Sequence, residues 1–129
     1  MLPKSQVKVV VVDDSLGIAA YHKDILECEG FQEVREFHDP KELIALAEQG
    51  SFIPDIVVSD FDMGCEINGV TLLNSLSKLN PLLKAMIVTG SPKEVSQLTK
   101  QFPILDKNNT TARRIVELAN QFALEFETI

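Results

Sequence analysis

Short apolar runs in this chain end in residues able to do chemistry. Val7 to Val12, interrupted only by Lys8, runs into Asp13-Asp14-Ser15, and Ile56-Val57-Val58-Ser59 runs into Asp60-Phe61-Asp62. Ala85 to Val88 is followed by Thr89-Gly90-Ser91, and Ile104-Leu105 by Asp106-Lys107. If these ends meet, Asp13, Asp14 and Asp60 converge, flanked by a hydroxyl and an ammonium group. Close carboxylates repel unless they are protonated or bridged by a cation, and an all-oxygen set suits a hard ion such as Mg²⁺. Beside that ion Asp60 could attack phosphorus as a nucleophile. Mg²⁺ and Lys107 would spread the charge on the transferring oxygens, and Thr89 would donate to the new phosphoryl group, leaving an aspartyl phosphate. Separately solvated loop acids are the plainer reading of each carboxylate, but that reading accounts poorly for their shared position.

The elements that must bring these ends together follow from periodicity. Val7 to Val12 and Ile56 to Asp60 are β-branched and apolar enough for strands covered on both faces. Ser15 can cap a helix with Ile18, Tyr21, Ile25 and Cys28 on one face, closed by Gly30 as a C′ residue. Val34 to Phe37 is a second strand, and Asp39-Pro40 opens a second helix with Leu43, Ile44 and Ala47 as its apolar stripe. A glycine-bounded loop from Gly64 to Gly69 leads into a helix carrying Leu72, Leu76 and Leu79, ended by Asn80-Pro81. Pro92 opens a short helix with Val95, Leu98 and Phe102, and Thr110 or Thr111 caps a last helix with Ile115, Ala119, Phe122, Phe126 and Ile129 in one stripe. Five strands alternating with five helices predict a doubly wound α/β fold, a flavodoxin-like (βα)5 parallel sheet in the order 2-1-3-4-5. Ligands of such sheets gather outside the carboxyl ends of the strands, which is where the chemistry-bearing residues fall.

Composition narrows the function classes. With 129 residues, 45% of them hydrophobic, residues 1–129 are expected to form a single domain. A formal net charge of −7, with no cluster of lysine or arginine beyond Arg113-Arg114, argues against a direct nucleic-acid partner. No apolar run reaches the roughly 18 residues of a membrane span, and Met1 to Lys4 is expected to lead straight into a strand, so a cytoplasmic location is expected. Cys28 and Cys65 lie too far apart for a zinc-type spacing; Cys28 is expected in the core and Cys65 in a loop. His22 and His38 have no partners at ligand spacing and are expected at the surface or its boundary.

Taken in order, these residues resemble the receiver domains of two-component response regulators, over essentially the whole chain. The resemblance implies that Asp13 and Asp14 bind Mg²⁺, that Asp60 is the phosphoacceptor and a ligand, and that Asp62 offers its backbone carbonyl to the metal. It further implies that Thr89 and Lys107 engage the phosphoryl oxygens, and that Thr89 and Ile104 occupy the switch positions. Such a protein is phosphorylated by a histidine kinase or phosphotransfer protein. It then signals to a downstream protein through helix 4, strand 5 and helix 5, and its only catalysis is self-phosphorylation from a donor and self-dephosphorylation. A homodimer through the same face is compatible with the composition. The chain departs from the family pattern at four places: a loop after Asp60 about one residue longer, Ile104 where an aromatic residue is common, Asn108 where proline usually follows the lysine, and a shorter segment from Thr89 to Lys107, which implies a brief or irregular fourth helix.

Two other function classes fit some of these residues. A receiver-like interaction module that no longer accepts phosphate would explain the departures but not the retention of all five chemical residues. Asp60-Phe61-Asp62 also resembles the DxD motif of haloacid dehalogenase-type phosphatases, although in that family the metal-binding acids follow the lysine, whereas Asp13-Asp14 precede everything.

Overall fold

In the computed structural model, residues 2–109 and 111–128 are described. The strands are β1 (Lys8–Val12), β2 (Glu33–Phe37), β3 (Ile56–Asp60), β4 (Lys84–Thr89) and β5 (Ile104–Asp106). The helices are α1 (Leu16–Cys28), α2 (Pro40–Glu48), α3 (Gly69–Leu79), α4 (Pro92–Ser96) and α5 (Thr111–Thr128). All neighbouring strands pair in parallel, in the order β2-β1-β3-β4-β5. This is the flavodoxin-like arrangement expected from the alternation of elements.

The sheet divides the core by strand parity, because successive side chains point to opposite faces. Val9 and Val11 pack with Leu26 of α1 and with Ile115, Ala119 and Phe126 of α5. Val10 and Val12 pack with Leu43 and Ala47 of α2, Leu72, Leu73 and Leu76 of α3, and Val95 of α4. Burying one such aliphatic side chain contributes about 1.5–3 kcal/mol, so the two layers together hold the sheet's register.

Helix boundaries carry their expected caps. The Ser15 hydroxyl accepts from the Ile18 N–H at 3.5 Å, and Asp39 accepts from the Lys41 N–H at 2.9 Å with Pro40 in the first helical turn. Gly30 lies two residues past the end of α1 with φ at 100°, a left-handed conformation that glycine adopts without a Cβ clash.

The structure corrects several sequence expectations. Helix α1 is rotated from the anticipated stripe: Ala19, His22 and Leu26 face the core, whereas Ile18 is 39% and Tyr21 52% exposed and Cys28 lies at the surface. Both sets recur at helical spacing, and Ala19 lets the helix approach the sheet where a larger side chain would hold it off. His22 is therefore buried, not superficial, while His38 is exposed and Cys65 is exposed in its loop. On α3, Leu73 joins Leu72 and Leu76 in the core and Leu79 is largely exposed. Helix α4 ends at Ser96, so Leu98 lies outside it at the surface and Phe102, also outside it, is buried against Val95's layer. A short 3-10 turn over Lys4–Gln6 precedes β1 where a direct entry into the strand was expected. Thr110 and Ile129, named above as cap and stripe residues, lie outside the described residues; Thr111 is the first residue described for α5.

Candidate functional site

Parallel register decides where the chemistry-bearing residues land. Val12 lies opposite both Phe37 and Ser59, Ser59 opposite Ile87, Asp60 opposite Val88, and Thr89 opposite Asp106. Pairing continues past the strand ends: the Asp13 N–H donates to the Phe37 carbonyl at 3.1 Å, Phe61 to Val88 at 3.0 Å, and Lys107 to Thr89 at 2.9 Å. Asp13, Asp60, Thr89 and Lys107 are thus delivered to one edge by backbone bonds, irrespective of the lengths of the helices between them.

The side chains meet there. One carboxylate oxygen from each of Asp13, Asp14 and Asp60 lies within 4.8 Å of the others, and Lys107 Nζ sits 2.7 Å from Asp60 Oδ1. Asp60 is only 5% exposed and Asp13 is equally buried, while Asp14 is open to solvent. Asp13 is oriented by the Ser15 N–H, which donates to its Oδ1 at 2.9 Å.

Burial pushes the Asp60 carboxyl above its ordinary range; the hydrogen bond from Lys107 pulls it back, the charge of Asp13 adds to the rise, and the net direction is upward. Asp13 is raised too, by burial first and by Asp14 in part, against the Ser15 hydrogen bond and the charge of Lys107. Burial works against the charge on Lys107, but its hydrogen bond and ion pair with Asp60 outweigh this and its ammonium is held more firmly protonated than usual. One ammonium group thus faces three carboxylates, two of them desolvated. That donor set, all oxygen and under-neutralised, fits a hard divalent cation.

Thr89 is buried, and its Oγ1 accepts from the Ser91 N–H at 3.0 Å, which leaves the hydroxyl proton free to donate. Lys107 is held from behind: the Asp106 carbonyl accepts from the Thr111 hydroxyl at 2.8 Å, and Asp106 Oδ1 accepts from the Asn108 N–H at 2.9 Å. Among the described residues no peptide bond is cis, so Lys107-Asn108 is trans. Asp62 is exposed, and its Oδ1 accepts from the Gly64 N–H at 3.2 Å, a turn in which Gly64 takes φ at 71°.

An open cleft of about 510 Å³ extends from this edge. Asp60, Asp62, Thr89 and Lys107 line it, together with Ser91, Glu94 and Leu98, which sequence reasoning did not assign to the site. Ile104 does not line it; half-buried, it pairs with Ile87 and packs against the layer of α2, α3 and α4. Gly69 was also passed over except as a loop end, although it is buried directly against the backbone of Asp60 and Phe61. The one signal for it was a glycine immediately before an apolar helical stripe.

Residues 9–102 match the family model of the response regulator receiver domain. The chain belongs to that family. As a receiver domain it is a module of two-component signalling, and the haloacid dehalogenase-type alternative falls away. Among curated proteins it is 35% identical over 91 residues to protein-glutamate methylesterase/protein-glutamine glutaminase 3 of Rhodospirillum rubrum, an alignment covering 69% of this chain and 24% of that protein. The receiver thus spans about a quarter of the length of the curated relative it matches. Among solved structures it is similar to a response regulator receiver domain protein from Clostridium thermocellum, with a TM-score of 0.79 at 23% identity, covering 95% of this chain and 98% of that one. It is also similar to a Burkholderia pseudomallei response regulator crystallised with a phosphorylated aspartic acid, a calcium ion and citrate, with a TM-score of 0.71 at 23% identity, covering 95% of this chain and 71% of that one. Vibrio cholerae chemotaxis protein CheY4 has a TM-score of 0.72 at 20% identity, covering 90% of this chain and 98% of that one. At these identities the structural likeness speaks for the fold. Among the described residues no helix is long and apolar enough to cross a membrane.

Proposed function

We propose that this receiver accepts a phosphoryl group on Asp60 from a phosphohistidine of a histidine kinase or phosphotransfer protein. A carboxylate oxygen of Asp60 attacks phosphorus, the bond from phosphorus to the imidazole nitrogen breaks, and the electron pair leaves with the ring. The observation that carries this reading is the 2.7 Å pair between Lys107 and the buried Asp60, set against the acidic pair Asp13-Asp14 on the same edge. Lys107 favours the ionised form of Asp60 against its burial and then follows the new charge onto the phosphoryl oxygens, where the free Thr89 proton also donates.

Asp13, Asp14 and Asp60, with the backbone carbonyl of Asp62, are the groups that would hold Mg²⁺. When bound, that ion neutralises the clustered carboxylates and the phosphoryl oxygens. The Burkholderia pseudomallei neighbour, which carries calcium together with a phosphorylated aspartic acid, supports this reading by analogy.

The modified state would be read by another protein on the face of α4, β5 and α5, because Thr89 lies just before α4 and Lys107 lies between the end of β5 and α5. A ligand shifts an equilibrium only through contacts that differ between two states, and the phosphoryl group offers such contacts to both residues. The catalysis proposed is confined to the chain's own phosphorylation and dephosphorylation, in the cytoplasm, with no external substrate turned over.

Intact-mass measurement after incubation with acetyl phosphate and Mg²⁺ tests the proposal. One phosphoryl adduct is expected, and none on Asp60→Asn. An adduct that survives this substitution, or none on the parent chain, overturns it.

A further inference from the structure

Gly69 is the first residue of α3, and its backbone is not in the left-handed region, so its lack of a side chain is not a matter of conformational freedom. The reason is space. A Cβ on Gly69 would lie 2.6 Å from the Asp60 carbonyl oxygen, 3.2 Å from Phe61 Cα and 3.4 Å from the Asp60 carbonyl carbon. All three are backbone atoms, so no rotamer change could relieve the contact. At the same point the Gly69 N–H donates to the Phe61 carbonyl at 2.8 Å, while the Phe61 N–H donates to the Val88 carbonyl at 3.0 Å. Phe61 is thus fastened on one side to β4 and on the other to α3. The turn so fastened joins the Asp60 carboxylate to the Asp62 carbonyl, two groups that must face one ion and one phosphoryl group.

We propose that Gly69 is a positioning residue for phosphoryl acceptance: by admitting α3 against the Asp60–Phe61 peptide, it sets the acceptor carboxylate and the metal-facing carbonyl of Asp62 in one geometry. This deepens the function proposed above and rests on it. Asn68, which caps α3 by accepting from the Thr71 N–H at 2.9 Å, fixes the helix end independently, so Gly69 is free to serve the turn.

The test compares Gly69→Ala with two controls, Val70→Ala, which loosens the core side of the same helix, and Gly17→Ala, where an added Cβ meets nothing within 4 Å. In metal-free, unphosphorylated protein, Gly69→Ala is expected to shift the carbonyl carbon resonances of Asp60 and Phe61. It is also expected to weaken Mg²⁺ binding about tenfold or more, the usual loss when the support of a metal ligand is removed, and to slow phosphorylation by acetyl phosphate in parallel. Val70→Ala should lower the thermal midpoint yet keep Mg²⁺ affinity within about twofold, the scatter of independent sites, and Gly17→Ala should change neither. If Gly69→Ala does not fold, replacing the Gly69 amide nitrogen by an ester oxygen removes the bond to Phe61 without adding a side chain, and it should still shift the Phe61 carbonyl and weaken Mg²⁺ binding. Unmoved carbonyl resonances with Mg²⁺ affinity within about twofold of the parent, or an equal loss of affinity in Val70→Ala, overturn the positioning role. Because the resonances are read without metal or phosphate, they decide whether Gly69 sets the Asp60–Phe61 geometry even if the parent chain takes no phosphoryl group, so failure of this geometric claim and failure of the phosphoacceptor reading are told apart.

Discussion

The two halves of the sheet are built differently. On one side β1 pairs with neighbours on both edges, Val9 to Val12 have no exposed surface, and β3 is buried along its whole length. On the other side β5 has three residues and one neighbour, α4 has five residues, and residues 97–103 cross between them without regular structure. The first half carries Asp13 and Asp60, and the second carries Lys107. Chemistry that depends on fixed distances between carboxylates sits in the part least able to move. The part proposed to register the change is held by few bonds, the end of the stability range from which moving elements are drawn. The Lys107–Asp60 ion pair joins the two.

The sharpest way to test this contrast is Phe102→Ala, which empties the principal buried side chain of the irregular crossover. A loss of about 3 kcal/mol in unfolding free energy is expected from the cavity, and hydrogen exchange should quicken over residues 92–106 while the β1 and β3 amides keep their protection. Uniform loss of protection would erase the distinction between the halves.

Lys107→Ala cuts the link between them. Phosphorylation of Asp60 by acetyl phosphate should slow by about 10²-fold, the usual size for removing one group that stabilises developing charge. Exchange should rise in the turn from Asp106 to Asn109 without rising in β3.

A smaller effect of opposite sign is expected within the firm half. Burial raises the carboxyl of Asp13, so at neutral pH its charge costs the folded state free energy, and the stability contributed by its protonated form is lost as pH rises above the ordinary carboxylate range. Asp13→Asn removes the charge yet can still accept from the Ser15 N–H, so without divalent ions its thermal midpoint should rise by about 3 °C, roughly 1 kcal/mol. Adding Mg²⁺ should raise the midpoint of the parent chain and leave that of the variant nearly unchanged.

The smallest effect concerns His22. Burial lowers its imidazole, and the charge of Lys107 lowers it further, so the folded chain binds a proton less readily than the unfolded one. Its contribution to stability is present above the unfolded value near 6.5 and declines as pH falls below it. Thermal midpoints measured at pH 7.5 and 5.5 should therefore differ less in His22→Gln than in the parent, and an unchanged difference would remove His22 from the account.

The same contrast explains what could be read from the sequence. β1 and β3 announce themselves because a strand buried on both faces is a run of β-branched residues, and the acids at their ends then fall on one edge by parallel register alone. Thr89 and Lys107 followed by the same logic, one strand further out each time. Helix α1 was legible in its length and caps but not in its rotation, since Ile18, Tyr21, Ile25 and Cys28 recur at the same spacing as Ala19, His22 and Leu26, and a histidine in the second set conceals it. Helix α4 was overextended because Leu98 and Phe102 continue Val95's spacing, although Phe102 reaches the core from beyond the helix end. Gly69 was illegible as a support, because nothing local says that the first turn of α3 rests on the peptide after Asp60.

The division of the core by parity has a consequence for how the chain can vary. Val9 and Val11 belong to one layer and Val10 and Val12 to the other, so a single deletion inside β1 would hand each layer the side chains meant for its opposite. Inserting a residue in the turn after α2 disturbs neither layer, since the strands reset the phase before Asp60 is reached. Length can therefore drift on the helical side of the molecule while strand length is held to the residue, and the spacing of the acids along the chain carries less information than their distance from the last valine.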